Sequence, residues 1–165
     1  MSKWLEDLEQ GNKGERVIAE YITNKKPTYE VVEFRNDKLY DFKIREVNNN
    51  SELTFEVKTD RYEHLKGFMT WNIFIETSCS GKDSGVMSSQ ADYFVYYFPD
   101  FEEAYFIQSD KLRDFVKTHM IDGDGIEWKS QSGDGGRVEG VCIHRKYWRK
   151  IFNVVTIKKD KSIWK

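Results

Sequence analysis

Two short stretches in which apolar and polar residues alternate constrain this chain more than anything else in it: Tyr40-Asp41-Phe42-Lys43-Ile44-Arg45 and Leu53-Thr54-Phe55-Glu56-Val57-Lys58. Strand side chains change face with period two, so Tyr40, Phe42 and Ile44 share one face while Asp41, Lys43 and Arg45 share the other. By the same parity Glu56 and Lys58 project together, opposite to Phe55 and Val57. The link Val47-Asn48-Asn49-Asn50-Ser51-Glu52 is rich in asparagine, which bonds its own backbone and tolerates turn geometry, so the two stretches read as a hairpin. Pairing them brings Asp41 near Glu56 and sets two carboxylates and one amine on one face. Hard divalent cations such as Mg²⁺ take carboxylate oxygens and keep several waters. A lysine beside them can position or deprotonate a water.

An aspartate on one strand followed by Glu-x-Lys on the next resembles the signature of the PD-(D/E)xK nuclease superfamily, carried here by Asp41 with Glu56-Val57-Lys58. Tyr40 stands where the family's name puts proline, a position that varies in such folds. The resemblance implies a restriction-endonuclease-like αβββ core and metal-dependent phosphodiester hydrolysis. In that reading Asp41 and Glu56 hold Mg²⁺ or Mn²⁺, the backbone carbonyl of Val57 joins them, and Lys58 orients the attacking water. Glu127-Trp128-Lys129 repeats the Glu-x-Lys pattern, but it adjoins Ser130-Gln131-Ser132-Gly133-Asp134-Gly135-Gly136, a loop composition. The second copy is therefore expected outside any alternating strand.

The helix expected over Met1 to Asn24 breaks near Gly11-Asn12-Lys13-Gly14 and resumes with Val17, Ile18, Tyr21 and Ile22 as one apolar stripe. Glu15 borders that stripe and has two readings. Asn12-x-x-Glu15 fits an N-terminal capping pattern. By resemblance, several branches of the superfamily place a glutamate of the first helix beside the metal. Pro27 ends the helix, Tyr29–Phe34 follows as a strand, and Asn36-Asp37 turns into the Asp41 strand.

Further along, Trp71 to Glu76 reads as a strand running into the glycine- and serine-rich segment Thr77–Gly85. That segment lacks the spacing of a nucleotide-binding loop, which removes the main support for a kinase or ATPase. Phe74-Ile75-Glu76, Gly81-Lys82-x-Ser84-Gly85 and Ser89-Gln90-Ala91-Asp92-Tyr93 together look similar to a branch of phage and bacterial PD-(D/E)xK-like proteins. That similarity implies Glu76 as an outer ligand of a metal-bound water, with Lys82, Ser84 and Gln90 at phosphate oxygens; a polar surface loop is the plainer alternative for each. His64 reads as a solvated residue.

Tyr93–Phe98 is continuous and aromatic, as in a central strand covered on both faces. Glu103–Ile107 follows as its hairpin partner, and a helix capped by Ser109 or Asp110 runs to Met120 with Leu112, Phe115 and Val116 inward. Asp122-Gly123-Asp124-Gly125 fails as a calcium loop because Ile126 stands at the third ligand position. Gly140–Ile143 reads as a late strand and Val154–Ile157 as an edge strand. Between them, His144-Arg145-Lys146-Tyr147-Trp148-Arg149-Lys150 is the densest basic run. Arg145 and Lys146 in it suit a phosphate backbone, and an amphipathic helix with Tyr147, Trp148, Ile151 and Phe152 inward accounts for the same residues.

Composition bounds the rest. With 165 residues, 39% of them hydrophobic, the chain suits one domain, 1–165, with a real core. A net charge of −2 argues against a bulk electrostatic polyanion binder, so contact with nucleic acid must come from local patches. The two cysteines lack metal-ligand spacing and read as thiols of a reducing compartment; no signal peptide or membrane span is apparent, so a cytoplasmic location is expected. The fold expected is a single α/β domain with a mixed central sheet flanked by helices. The function expected is Mg²⁺-dependent nuclease activity, endo or exo, with DNA the favoured partner and no membrane. Its alternative is an inactive nucleic-acid-binding or structural module of the same fold. The oligomeric state stays open, a homodimer included.

Overall fold

The computed structural model describes residues 3–35, 39–60, 72–118, 126–133 and 136–158. Lys3–Lys25 form one continuous helix, α1, with Ile18 and Ala19 buried and Val17, Tyr21 and Ile22 packed beside them. The break expected at Gly11–Gly14 does not occur. Gly14 is buried, and a Cβ there would come within 1.8 Å of Thr59 Oγ1, so the missing side chain lets the helix backbone approach a strand. Because the helix runs through, Glu15 sits well inside it, and the expected capping role of Asn12 and Glu15 is corrected: there is no helix start for them to cap.

Three strands follow as an antiparallel meander: β1 (Tyr29–Phe34), β2 (Phe42–Glu46) and β3 (Glu52–Thr59). The asparagine-rich link closes the β2–β3 hairpin as its composition demands. Ser51 N–H donates to Asn49 Oδ1 at 2.8 Å, and Asn50 takes φ +58°, a conformation asparagine adopts more readily than most residues. Then come β4 (Asn72–Cys79), β5 (Lys82–Asp83), β6 (Tyr93–Phe98), β7 (Glu103–Gln108), α2 (Ser109–Thr118), β8 (Ile126–Gly133), β9 (Gly136–His144), α3 (Arg145–Ile151) and β10 (Asn153–Thr156). The turn expected at Asn36-Asp37, His64, the segment Asp122–Gly125 and Met120 lie outside the described residues.

The strands form two sheets. One is mixed and six-stranded, in the order β1-β2-β3-β6-β7-β10, with β3 and β6 parallel and every other pair antiparallel. The other is four-stranded, in the order β5-β4-β9-β8. With three helices among the described residues this is an α/β fold built on a mixed sheet. The alternation of β6 shows how the layers meet. Val95 and Tyr97 join Ile18, Phe42, Phe55 and Val57 beneath α1, while Phe94, Tyr96 and Phe98 join Ile73, Ile75, Val141, Leu112 and Trp148 on the other side. The central strand is covered on both faces, as its unbroken aromatic run requires.

Two local readings change. Glu127-Trp128-Lys129 was expected outside a strand but lies in β8, which pairs along its whole length with β9 from Ile126↔Ile143 to Gly133↔Gly136. Pairing with a long neighbour overrides a serine- and glycine-rich composition. Part of the Thr77–Gly85 segment is likewise a tight hairpin: Ser80 and Gly81 take φ +51° and +77°, the double positive φ of a two-residue turn, between β4 and β5. Elsewhere the expected elements are present. α3 buries Trp148 with Phe152 just beyond its end, and β10 forms an outer edge of the larger sheet. Cys79 and Cys142 are thiols, not partners in a disulfide. No helix among the described residues is long and apolar enough to cross a membrane.

Candidate active site

The site is a notch that opens where β2 stops. β2 pairs with β3 only from Arg45↔Glu52 to Phe42↔Phe55, and the Asp41 N–H extends the ladder by one bond to the Phe55 carbonyl at 2.8 Å. Beyond it β3 has no strand on that side among the described residues. The Asp41 carboxylate fills the gap, its Oδ2 accepting the Val57 N–H at 2.6 Å. Residues on one strand present N–H and C=O to the same side, so the Val57 carbonyl opens toward the same notch.

Parity then puts Glu56 and Lys58 beside Asp41, and the Lys58 ammonium donates to Glu56 Oε1 at 2.6 Å. Glu15, next to the close pass of Gly14 over Thr59, lies on α1 near enough for the charges of Asp41, Glu56 and Lys58 to act on it. The structure therefore brings Glu15 of α1, Asp41 just before β2, and Glu56, Val57 and Lys58 of β3 together, and the nearness of Asp41 to Glu56 and Lys58 is the one expected from the sequence.

Electrostatics in the notch are strained toward excess negative charge. Burial first, then the Asp41 and Glu56 carboxylates, pushes Glu15 up to about 7. Burial and Glu56 push Asp41 up to about 6, with the Val57 N–H bond working the other way. The Lys58 side chain keeps 51% of its surface, so its desolvation is partial; Glu56, Asp41 and Glu76 outweigh it and hold the ammonium above the ordinary lysine value. Lys58 is thus a cation at neutral pH, suited to orienting a water or offsetting charge rather than removing a proton.

Across a cleft from Lys58 stands the second sheet. Glu76 on β4 accepts a hydrogen bond from the Ser84 hydroxyl, and Ser84 N–H donates to the Thr77 carbonyl at 3.0 Å. Gly85 makes this arrangement fit: at φ +52° its Cα lies so close to Glu76 that a Cβ would be 2.4 Å from the Glu76 carbonyl. Arg113 from α2 secures the segment by donating to the carbonyls of Val86 at 2.9 Å and Ser89 at 2.7 Å.

Other expected residues lie apart. Gln90 is exposed, with its N–H on the Leu39 carbonyl at 2.8 Å, two residues from Asp41. Lys82 is exposed on β5, at the outer edge of the small sheet. Arg145 and Lys146 begin α3, where Arg145 lies over the Phe101 ring at 4.5 Å and Lys146 over Tyr147 at 4.8 Å.

Sequence reasoning missed Tyr96, which pairs with Lys58 in the parallel β3–β6 ladder and lines the same cleft. Burial, then Glu56 and Glu76, holds its phenol well above the ordinary value, so it remains a hydrogen-bond donor. Its signal was unreadable, because parallel register between distant strands leaves no local pattern.

The donor chemistry suits a hard divalent cation: carboxylate oxygens of Asp41 and Glu56 and the Val57 carbonyl, in a pocket where Glu15, Asp41 and Glu56 gather beside Lys58. Asp41 Oδ2 and Glu56 Oε1 are engaged within the chain, and among the described residues no three His, Cys, Asp or Glu side chains stand as a preformed ligand set. What fold and site define is an α/β protein with a carboxylate and lysine notch at an interrupted strand pairing. No family model and no curated protein matches the chain. Among solved structures it is similar to a bacterial homing endonuclease, at 18% identity and a TM-score of 0.44, over 67% of this chain and 71% of that one.

Proposed function

We propose that this protein hydrolyses phosphodiester bonds of nucleic acid, DNA before RNA, in a metal-dependent reaction at the β2–β3 notch. The observation that carries the reading is the crowding of Glu15, Asp41 and Glu56 around a single lysine, with burial raising Glu15 to about 7 and Asp41 to about 6. Such charge is costly unless a cation joins it. Asp41 and Glu56, with the Val57 carbonyl, would hold Mg²⁺ or Mn²⁺, and a bound ion there supplies charge neutralisation and a more acidic water. Lys58 orients the attacking water and offsets the charge that develops on the phosphate. Glu15 and Glu76 flank the site and hold water by hydrogen bonds, Glu76 fixed in turn by Ser84. Lys82, Ser84, Gln90, Arg145 and Lys146 supply contacts to the phosphate backbone.

The second reading is a binding module of the same fold without turnover. It is favoured by the Lys58 to Glu56 ion pair at 2.6 Å, which leaves Lys58 satisfied in the resting protein. Labelled DNA and RNA in single-stranded, duplex, flapped and branched form, incubated with Mg²⁺, Mn²⁺ or chelator, separate the two. Cleavage in metal that stops in chelator supports the enzyme. Tight binding with no product in any metal leaves the binding module.

A further inference from the structure

Residues 84–92, which link β5 to β6, belong to neither sheet, yet they are bonded to both sides of the site. At the near end Ser84 holds Glu76, and Gly85 lies against the Glu76 backbone. Val86 is buried in the core with Ile73 and Ile75. Farther on, the Leu39 carbonyl accepts twice from this segment, from the Ser89 hydroxyl at 3.1 Å and from the Gln90 N–H at 2.8 Å. At the far end Asp92 is tied to β3: its N–H donates to the Thr54 carbonyl at 3.0 Å, and its Oδ2 accepts the Thr54 N–H at 2.8 Å. The segment is thus a strap between the β4 wall that carries Glu76 and the stretch that carries Asp41. Asp41 lies just before β2, so no full strand ladder fixes it. Its own N–H and carbonyl are taken by the Phe55 carbonyl and the Arg35 N–H, and the Leu39 carbonyl is where the strap holds the chain that leads into it.

One side chain pins the strap. Arg113 on α2 donates from Nε to the Val86 carbonyl at 2.9 Å and from Nη2 to the Ser89 carbonyl at 2.7 Å. Its Nη1 pairs with Asp110, whose side chain is 93% exposed, so that ion pair adds little. Two carbonyls held by adjacent nitrogens of one planar group are fixed in spacing and in direction, which a lysine ammonium cannot reproduce. We propose that Arg113 is a positioning residue of the site: through the strap it holds Leu39, and with it the Asp41 carboxylate, at hydrogen-bond distance from the Val57 N–H. Arg113 itself touches neither metal nor phosphate in this role. A ligand set works only when its members are held to within about 0.5 Å, and the strap is the part of the fold that does this from outside the sheet. The consequence for metal binding rests on the nuclease reading; the placement of Asp41 can be read without metal.

The test uses the full chain and two readouts. The first is amide hydrogen exchange of the metal-free protein, in which the Val57 N–H reports its bond to Asp41 and the amides of β7 report opening of the whole fold. Arg113→Ala should lower the protection of Val57 by about fivefold or more beyond any change in β7, the scale of one lost hydrogen bond. Arg113→Lys keeps the charge and can serve one carbonyl, so it should fall between Arg113→Ala and wild type. Ser89→Ala removes the hydroxyl from the Leu39 carbonyl with Arg113 in place, and should repeat the effect even where Arg113→Ala fails to fold. Asp110→Ala should match wild type. The second readout is calorimetric titration with Mg²⁺, which Arg113→Ala or Ser89→Ala should bind about fivefold more weakly than wild type. If Val57 loses protection only in step with β7, or if both variants bind Mg²⁺ as wild type does, the positioning role is overturned while the nuclease reading stands. Absence of Mg²⁺ binding by wild type overturns the nuclease reading, and Val57 exchange still decides whether the strap places Asp41.

Discussion

The chain carries Glu-x-Lys twice on a strand, and the contrast between the copies shows what makes a site. Glu56-Val57-Lys58 lies on β3 inside the six-stranded sheet; Glu127-Trp128-Lys129 lies on β8 at the outer edge of the four-stranded one. β8 pairs continuously with β9, with Glu127 opposite Cys142 and Lys129 opposite Gly140. β3 instead loses its antiparallel partner halfway, and Asp41 from the missing strand's end takes the Val57 N–H. An aspartate, a helix glutamate and the Val57 carbonyl converge at β3. The motif supplies two side chains, and the interruption of pairing supplies the rest.

The largest effect should come from setting the two lysines against each other. Lys58→Ala is expected to slow single-turnover cleavage in Mg²⁺ by about a hundredfold or more, the usual scale for losing a group that acts on the reacting centre. Lys129→Ala should stay within about twofold. Comparable losses at both positions would erase the distinction.

A second pair of substitutions probes how α1 delivers Glu15. Gly14→Ala drives a Cβ into Thr59 and should cost about 1–3 kcal/mol, lowering Tm by several degrees and cleavage with it. At Gly11 nothing lies within 4 Å of an added Cβ, so Gly11→Ala should raise Tm through helix propensity alone, by up to about 1 kcal/mol. Thermal melts of the two variants would show the same sign if the helix merely passed the sheet without close contact.

What was legible beforehand divides along the same line. Period-two alternation exposed β2 and β3, their hairpin and the shared face of Asp41, Glu56 and Lys58, because those facts are local. The continuous α1 was not legible: Gly11 and Gly14 look like breakers until Thr59 is seen to need the space. Nor was the pairing of the second sheet: β4 and part of β9 read as strands, but β9 joins β4 from far along the chain, and β8, which pairs with β9, has a composition that reads as loop. Tyr96 became visible only through the β3–β6 register.

Glu15→Gln sharpens the electrostatic side of the comparison. Glu15 and Asp41 bind protons more tightly folded than unfolded, from ordinary values of 4.5 and 3.8, so their contribution favours the fold below about pH 4 and is lost as pH rises through about 6 to 7. At pH 8 both are charged and repel. Removing one charge should then raise Tm by a few degrees, on the order of 1 kcal/mol after solvent screening, and change little at pH 4. Metal-dependent activity should weaken severalfold. An equal Tm shift at both pH values would mean the notch is not under this strain.

The smallest effect concerns the basic end of α3. Each phosphate neutralised contributes about −0.7 to −0.9 to the slope of log affinity against log salt. Arg145→Ala with Lys146→Ala should reduce that slope by up to about two, with cleavage of saturating substrate nearly intact. An unchanged slope would remove α3 from the DNA path and leave its cations as a solvated helix face.

The account stands on a divalent cation entering the notch at Asp41. Calorimetric titration of Mg²⁺ into substrate-free protein at pH 8 tests this without any assumption about substrate, with wild type beside Asp41→Asn and Lys129→Ala. Wild type and Lys129→Ala should bind alike, Asp41→Asn at least about tenfold more weakly, and wild type weakly again at pH 5, where Asp41 and Glu15 are protonated. Equal binding by wild type and Asp41→Asn would contradict the account.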